Sequence, residues 1–563
     1  MKKLFLLYTI LFSLQISSQE TIEDAWIFLK DKPNKEAFLA NPLTMLSQRA
    51  LDRRNNQRVD LDSLDVPIHK PYYDQLKNDA NVIVLGKSKW LNAIHVQATV
   101  SQINGLLSTY PFIESLEYAN KSLNSKGRSV SKKVVHNHQN KFSSSISDFN
   151  YGSAENQIKM LRGDALHQQG LTGQGQVIAV IDAGFPNVNT LPAFKRIRDN
   201  NQILGGYNFA DRNANFYTRH HHGTHVLSTI AGYLENEFVG TAPDAKFYLF
   251  VTEIAESETV LEETLWVEAA ERADSLGVDI INTSLGYTTY DNPNHSYTYA
   301  DMDGKTAFIT RGAEIAASRA MLLVNSVGNS GSSSWKYMGA PADAPSVIAV
   351  GAVDASGNIA SFSSFGPTAD NRIKPEILAQ GDNSSIINFS TGQVSTSSGT
   401  SFSSPIMAGL LACLNQNLPL FVKSHTKLAA NNYNELSFID NLKQSVFKSA
   451  DRFSAPLNQY GYGIPNFEIA RGIYYSLYPG SVDDNFLSNL KVYPNPTKSI
   501  FSISNLSLSN DHSIQILNVL GEKIIEITRK IPKDINISNL DNGIYLLKIR
   551  KGNEQKIIKL IKE

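Results

Sequence analysis

The chain has 563 residues, with 52 Lys and Arg against 53 Asp and Glu and a net charge of −1. That balance leaves no polyanion-seeking surface and excludes nucleic acid as the main partner, while a 42% apolar content with scattered charge excludes a disordered chain. The length is more than one hydrophobic core organises, so several domains are expected.

In chain order, "MKKLFLLYTILFSLQISSQE" sets Lys2 and Lys3 before an apolar run from Leu4 to Leu14, with Ser17 and Ser18 after it. The run is too short to span a bilayer and fits a cleaved export signal over residues 1–18. No other stretch reaches 18 uninterrupted apolar residues, so no transmembrane helix is expected. A single cysteine, Cys413, rules out an internal disulfide and reads as a buried small hydrophobe in "PIMAGLLACLNQ".

Residues 19–120 mix helical and strand patterns. Within them "VIVLGKSKWLNAIHVQATVSQINGLLSTYPFIESLEYA" reads as strand, strand, helix, strand, a small α/β sandwich. Residues 121–149 are basic and rich in Ser and Asn, the composition of an exposed linker open to cleavage. From 150 to 478, "QVIAVID", "KFYLFV", "VDIINTSLG", "AMLLVNSVGN" and "SVIAVGAV" alternate with helical stretches such as "ETLWVEAAERADSLG". That alternation predicts an α/β fold, a mostly parallel sheet with helices on both faces. Over 484–563 the period becomes two in "SIFSIS", "HSIQILNV", "EKIIEI", "GIYLLKI" and "QKIIKLI", with turns at Gly521 and Asn542-Gly543. These segments describe a small all-β sandwich.

Three segments of the central region carry chemistry. "QVIAVIDAGF" ends a buried strand in Asp182, the place where α/β proteins keep their active sites. The glycines of "GLTGQG" precede that strand, whereas a dinucleotide cradle must follow it, so no nucleotide loop is expected. "RHHHGTHVLSTIAG" puts His222 and His225 on one helical face, but Gly223 stands where a helical zinc protease needs Glu, and no metal centre is expected. His220 and His221 are expected on an exposed loop. "GTSFSSP" opens an apolar helix at Ser401, where the helix N-terminus and the serine's own N–H face any oxyanion formed beside the hydroxyl.

The order Asp…His…Ser, with "VIDAGF", "HGTHV", "NTSLG", "SVGNSG" and "GTSFSSP", resembles the subtilisin-like serine proteases, the subtilase family. The resemblance implies a secreted serine endopeptidase with Ser401 as nucleophile, His222 as base and Asp182 orienting the imidazole. It implies an oxyanion hole made by Asn329 and the Ser401 N–H, and a substrate-pairing edge at Ser284, Leu285 and Gly286. No cofactor is implied as a requirement, and calcium would be a structural ion only. Ala183 departs from the usual Thr or Ser, and Phe402 and Ser403 depart from the usual Met and Ala. The 19–120 block resembles the subtilase propeptide, an intramolecular inhibitor. "VYPNPT", "DNGIYLLKIR" and the basic C-terminus resemble a type IX secretion sorting domain. Expected partners are therefore protein or peptide substrates, the chain's own propeptide and the type IX machinery, at the outer surface or outside the cell.

Overall fold

The computed structural model describes residues 20–124, 149–416, 437–477 and 490–563, apart from 505–511, 519–521, 529–531, 533 and 552–553. The export-signal segment, residues 125–148 of the expected linker and the expected turn at Gly521 lie outside the described residues. The chain forms two compact units, one holding the N-terminal and central regions as far as Arg471, the other the C-terminal strands.

The N-terminal region contains β1 (Ile22–Leu29), α1 (Gln48–Gln57), β2 (Ile83–Ser88), β3 (Ala93–Thr99), α2 (Val100–Thr109) and β4 (Ile113–Tyr118), with short helices at Lys35–Ala40 and Lys70–Lys77. Its sheet is antiparallel, in the order β2-β3-β1-β4. A reciprocal cap starts α2: Gln102 N donates to Thr99 Oγ1 at 3.3 Å, and Thr99 N donates to Gln102 Oε1 at 3.0 Å. Because strand side chains alternate, Ala25, Ile27 and Leu29 pack with Ile103 and Leu106 of α2 while Trp26 faces the other way.

The central region contains β5 (Val177–Asp182), β6 (Ile203–Asn208), α3 (His222–Ala231), β7 (Lys246–Val251), α4 (Leu261–Leu276), β8 (Ile280–Thr283), α5 (Phe308–Ser318), β9 (Leu322–Ser326), β10 (Ile348–Val353), β11 (Ile377–Gln380) and α6 (Thr400–Asn415). Seven strands pair in the order β11-β10-β9-β8-β5-β7-β6, every pair parallel. All residues of β5 and β10 are buried, which explains their unbroken apolar runs. Helices α4 and α5 cover one face, with Ala179 and Ile181 of β5 in the same core, and α3 and α6 cover the other. The α/β fold is therefore present as expected, with β6 and β11 added to the strands read from sequence.

The N-terminal region docks on α4 and α5. Trp26 stacks on Phe308, rings 4.6 Å apart and 7° from parallel, and its Nε1 donates to Thr264 Oγ1 at 3.0 Å. Arg53 and Arg54 of α1 meet Asp274 of α4 at 2.5 and 2.6 Å. Ser88 Oγ and Trp90 N donate to Glu271 at 2.6 and 2.9 Å. The charges of this polar seam are paired, which offsets the cost of burying them, while Arg53 Nε and Trp90 Nε1 are buried without a hydrogen-bond partner among the described residues.

The C-terminal unit is all-β: β12 (Lys491–Tyr493), β13 (Ile500–Ser504), β14 (His512–Leu517), β15 (Lys523–Thr528), β16 (Asp534–Asn536), β17 (Gly543–Lys551) and β18 (Glu554–Lys562). Two antiparallel sheets, β12-β13-β16 and β15-β14-β17-β18, enclose Phe501, Ile514, Ile516, Ile535, Leu547, Ile549 and Leu560. Among the described residues, no helix is long and apolar enough to cross a membrane.

Candidate active site

Asp182, Ser284 and Asn329 all lie at or just beyond the carboxyl ends of parallel strands, and α3 and α6 begin at the same rim. Two local features bring His222 to Asp182. An antiparallel bridge joins Gly184 to Arg219, and His220 N donates to the Ala183 carbonyl at 3.1 Å. The turn into α3 then passes so close that a Cβ on Gly223 would sit 2.4 Å from the Gly184 oxygen and 3.0 Å from Asp182 Cβ. Glycine is required there by space.

His222 Nδ1 lies 2.7 Å from Asp182 Oδ1, which also accepts from Ala183 N at 2.7 Å. An ionised carboxylate only accepts, so Nδ1 carries the proton and Nε2 is left as the basic nitrogen. Burial works against the His222 imidazolium, but the Asp182 charge and hydrogen bond outweigh it and hold the pKa above the ordinary histidine value. Asp182 Oδ2 is buried without a hydrogen-bond partner. Ala183 brings no hydroxyl to it.

Ser401 sits in the first turn of α6 and is 8% exposed. Its Oγ donates to the Ser284 carbonyl at 3.3 Å, and Ser284 Oγ donates back to the Ser401 carbonyl at 2.9 Å. The Phe402 ring is 6.2 Å from the His222 ring, which places the start of α6 beside the histidine. Asn329 caps α6 from outside: its Oδ1 accepts from Thr400 N at 2.8 Å and from Thr400 Oγ1 at 3.0 Å. With Oδ1 so held, Nδ2 is free to point the other way. Gly399 has φ 155°, and a Cβ on it would lie 3.6 Å from Asn329 Nδ2 and 3.7 Å from Ser401 N. Asn329 Nδ2 and Ser401 N thus lie on the same side of Gly399, whose backbone conformation is one that favours glycine. Thr400 as the group that orients Asn329 was not visible in the sequence, because the two are separated by 71 positions.

The segment Ser284–Gly286 continues β8, with Gly286 exposed and the Leu285 carbonyl held by Asn325 Nδ2 at 2.9 Å. Beyond it, Tyr287 forms an antiparallel bridge with Ala340. Of the flanking histidines, His220 is exposed as expected, but His221 is half-buried, stacked on Phe389 at 4.4 Å. An aromatic neighbour 168 positions away in the chain could not be read from the loop alone. His225 Nε2 accepts from Phe389 N at 3.3 Å, and burial pushes its pKa down to about 4, so it is a neutral acceptor. Buried Cys413 lies with its Sγ 3.2 Å from the Thr241 carbonyl, and burial raises its pKa well above the usual thiol value. Among the described residues, no group of three or more His, Cys, Asp or Glu side chains is arranged to hold a metal ion.

Comparison with known families matches residues 173–463 to the subtilase family, just over half of the chain. Residues 24–137 match the peptidase S8 propeptide domain of Bacteroidota, and residues 491–563 match a secretion system C-terminal sorting domain. Subtilisin BL of Lederbergia lenta is 31% identical over 279 residues, covering 48% of this chain and 90% of that protein. Subtilisin E of Bacillus subtilis (strain 168) is 32% identical over 278 residues, covering 48% of this chain and 63% of that protein. The chain belongs to the subtilase family, a serine endopeptidase carrying a propeptide domain before the enzyme and a sorting domain for export after it.

Proposed function

We propose that this endopeptidase cleaves peptide bonds through Ser401, His222 and Asp182 by an acyl-enzyme route. His222 Nε2 takes the Ser401 Oγ proton as Oγ attacks the scissile carbonyl, and the imidazolium is stabilised by Asp182. Asn329 Nδ2 and Ser401 N hold the oxyanion. The imidazolium then protonates the leaving amine, and water, activated by the same nitrogen, releases the acyl group. The reading requires the Ser401 hydroxyl to swing from the Ser284 carbonyl to His222, one rotamer change. Extended substrate would pair with the backbone of Ser284, Leu285 and Gly286, a mode that accepts many sequences. The chemistry uses side chains and backbone donors alone, and any calcium would be a structural ion.

The same reading assigns the maturation steps. Residues 1–18 are removed on export and 19–120 act as intramolecular inhibitor. The cut falls within 121–149, leaving 150–478 as the enzyme, and 484–563 engage the type IX machinery. The observation that supports it best is the 2.7 Å Asp182–His222 bond, set beside the first turn of α6, which holds Ser401.

The test is intact mass of the purified protein and of its Ser401→Ala variant, each with and without a fluorophosphonate. Wild type is expected to lose its N-terminal block and gain one adduct, while the variant does neither. Absence of the adduct on wild type after another protease has removed that block would leave the fold as a binding scaffold.

A further inference from the structure

Strand β8 and helix α6 meet through a closed ring of polar groups. Ser404 Oγ donates to Asn282 Oδ1 at 2.9 Å, and Asn282 Nδ2 donates to Ser284 Oγ at 3.3 Å. Ser284 Oγ in turn donates to the Ser401 carbonyl at 2.9 Å. Ser401 and Ser404 stand about one turn apart on α6, so the ring leaves the helix and returns to it by way of the strand. Asn282 and Ser404 are fully buried and Ser284 is 4% exposed. With solvent excluded, each group depends on its neighbour in the ring for its hydrogen bond.

Pro405 gives the reason for the last of these bonds. Inside an α-helix the carbonyl of residue i accepts from the N–H of residue i+4, which for Ser401 is residue 405. Pro405 lies inside α6, has no N–H, and crowds the carbonyl one turn before it. The Ser401 carbonyl is therefore left without its helical donor, and the Ser284 hydroxyl stands in that donor's place. On the other side of the nucleophile, Thr400 N donates to Asn329 Oδ1 at 2.8 Å. The peptide group that carries the Ser401 N–H lies between these two anchors.

We infer that the Ser284 hydroxyl, oriented by Asn282 and Ser404, is a positioning group for the reaction. It replaces the donor that Pro405 withholds and so fixes the Ser401 backbone, and with it Oγ and the oxyanion-binding N–H, against the edge Ser284–Gly286. The inference rests on the active-site reading above. Side chain and backbone of Ser284 then have separate tasks: the backbone pairs with an extended peptide, while the hydroxyl holds the nucleophile's carbonyl. Because one residue does both, a peptide seated on the edge is in register with Ser401. The hydroxyl itself is engaged within the protein, so its loss falls on kcat and leaves KM nearly alone. A misplacement of 1 Å costs on the order of 10²-fold, and the smaller shift allowed by one lost bond is expected to cost about tenfold.

The experiment measures kcat and KM on a fluorogenic peptide for wild type, Ser284→Ala, Pro405→Ala and the double variant, with competent sites counted by fluorophosphonate uptake. Ser284→Ala is expected to lower kcat about tenfold per competent site, with KM changed by less than about twofold. Pro405→Ala gives residue 405 an N–H for the Ser401 carbonyl. In that background Ser284→Ala is expected to lower kcat by less than about twofold, a coupling that mere packing would not produce. Ser284→Cys keeps the shape of the side chain and offers a weak donor, so its kcat is expected between those of wild type and Ser284→Ala. The same comparison is made with Ser284→Cys if Ser284→Ala does not fold. An equal loss with and without Pro405 overturns the inference, as does an unchanged kcat, while wild type still takes one fluorophosphonate. If wild type takes none, the active-site reading falls, and this inference falls with it.

Discussion

The two ends of α4 carry the same chemical group in opposite states. At its C-terminal end Asp274 is fully buried, and burial alone would raise its pKa, yet Arg54 and Arg53 draw it down to about 2. At its N-terminal end Glu262 is also buried, and burial raises its pKa to about 7, against the hydrogen bonds from Ile254 and Thr259. The helix dipole would order them the other way, since it favours negative charge at the N-terminus. What decides is whether a guanidinium arrives. The arginines at the C-terminal end come from the N-terminal domain, so docking of that domain supplies the countercharge there. At the N-terminal end no guanidinium among the described residues pairs with Glu262, whose carboxylate instead accepts from Ile254 N and Thr259 N at 2.8 Å each.

The most severe way to break this contrast is to strip the countercharge from Asp274. Arg54→Met in the Ser401→Ala precursor is expected to cost about 3–5 kcal/mol, the range for removing one partner of a buried ion pair. Denaturant unfolding of the precursor measures it, and an unchanged midpoint would mean the clamp does not hold the two regions together. The cleft side is broken separately by Asn329→Ala, expected to lower kcat by about 10²–10³-fold with little change in KM, a magnitude established for a donor of this kind in a subtilisin. Steady-state kinetics of the processed enzyme would show it.

A finer cut uses pH. Asp274, lowered from 3.8 to about 2, contributes stability that is present above pH 3.8 and lost as pH falls through about 2. Glu258 and Glu262, both raised from 4.5 to about 7, do the reverse, and stability declines as pH rises from 4.5 through 7. The precursor's melting temperature should therefore fall on both sides. Glu258→Gln should flatten only the upper side, and a variant that also altered the acid side would show that the two ends are coupled. The smallest effect expected is from Thr99→Ala, which removes the α2 cap and should cost about 1 kcal/mol. Its mark would be on precursor melting alone, with kcat of the processed enzyme unchanged.

The residues that were legible in the sequence are those whose chemistry sits in local text. Asp182 closes an apolar run, His222 stands before the glycine that its turn requires, and Ser401 follows Gly399-Thr400 at the start of an apolar helix, although Pro405 lies inside that helix and not in its first turn. The parallel strands were legible for the same reason, being buried on both faces. Two strands were hidden by their own composition. Central β1 begins with Glu23 and Asp24, acceptable only because His295, Asn120, His95 and Gln97 come from elsewhere to meet them. The strand β6 reads "ILGGYN", where Gly206 is demanded by the Leu249 carbonyl, 2.1 Å from a Cβ placed there. The Arg54–Asp274 pair spans 220 positions and leaves no trace in either segment alone.

The identity of the residue after Ser401 reaches beyond packing. Oxidants convert a methionine thioether into a polar sulfoxide. Here Phe402 occupies that position, so the group flanking Ser401 has no sulfur to oxidise. Met302, Met321, Met338 and Met407 are no more than 1% exposed, and the lone thiol is buried. Oxidants therefore meet a candidate active site with, among the described residues, no accessible sulfur beside the Ser401 hydroxyl.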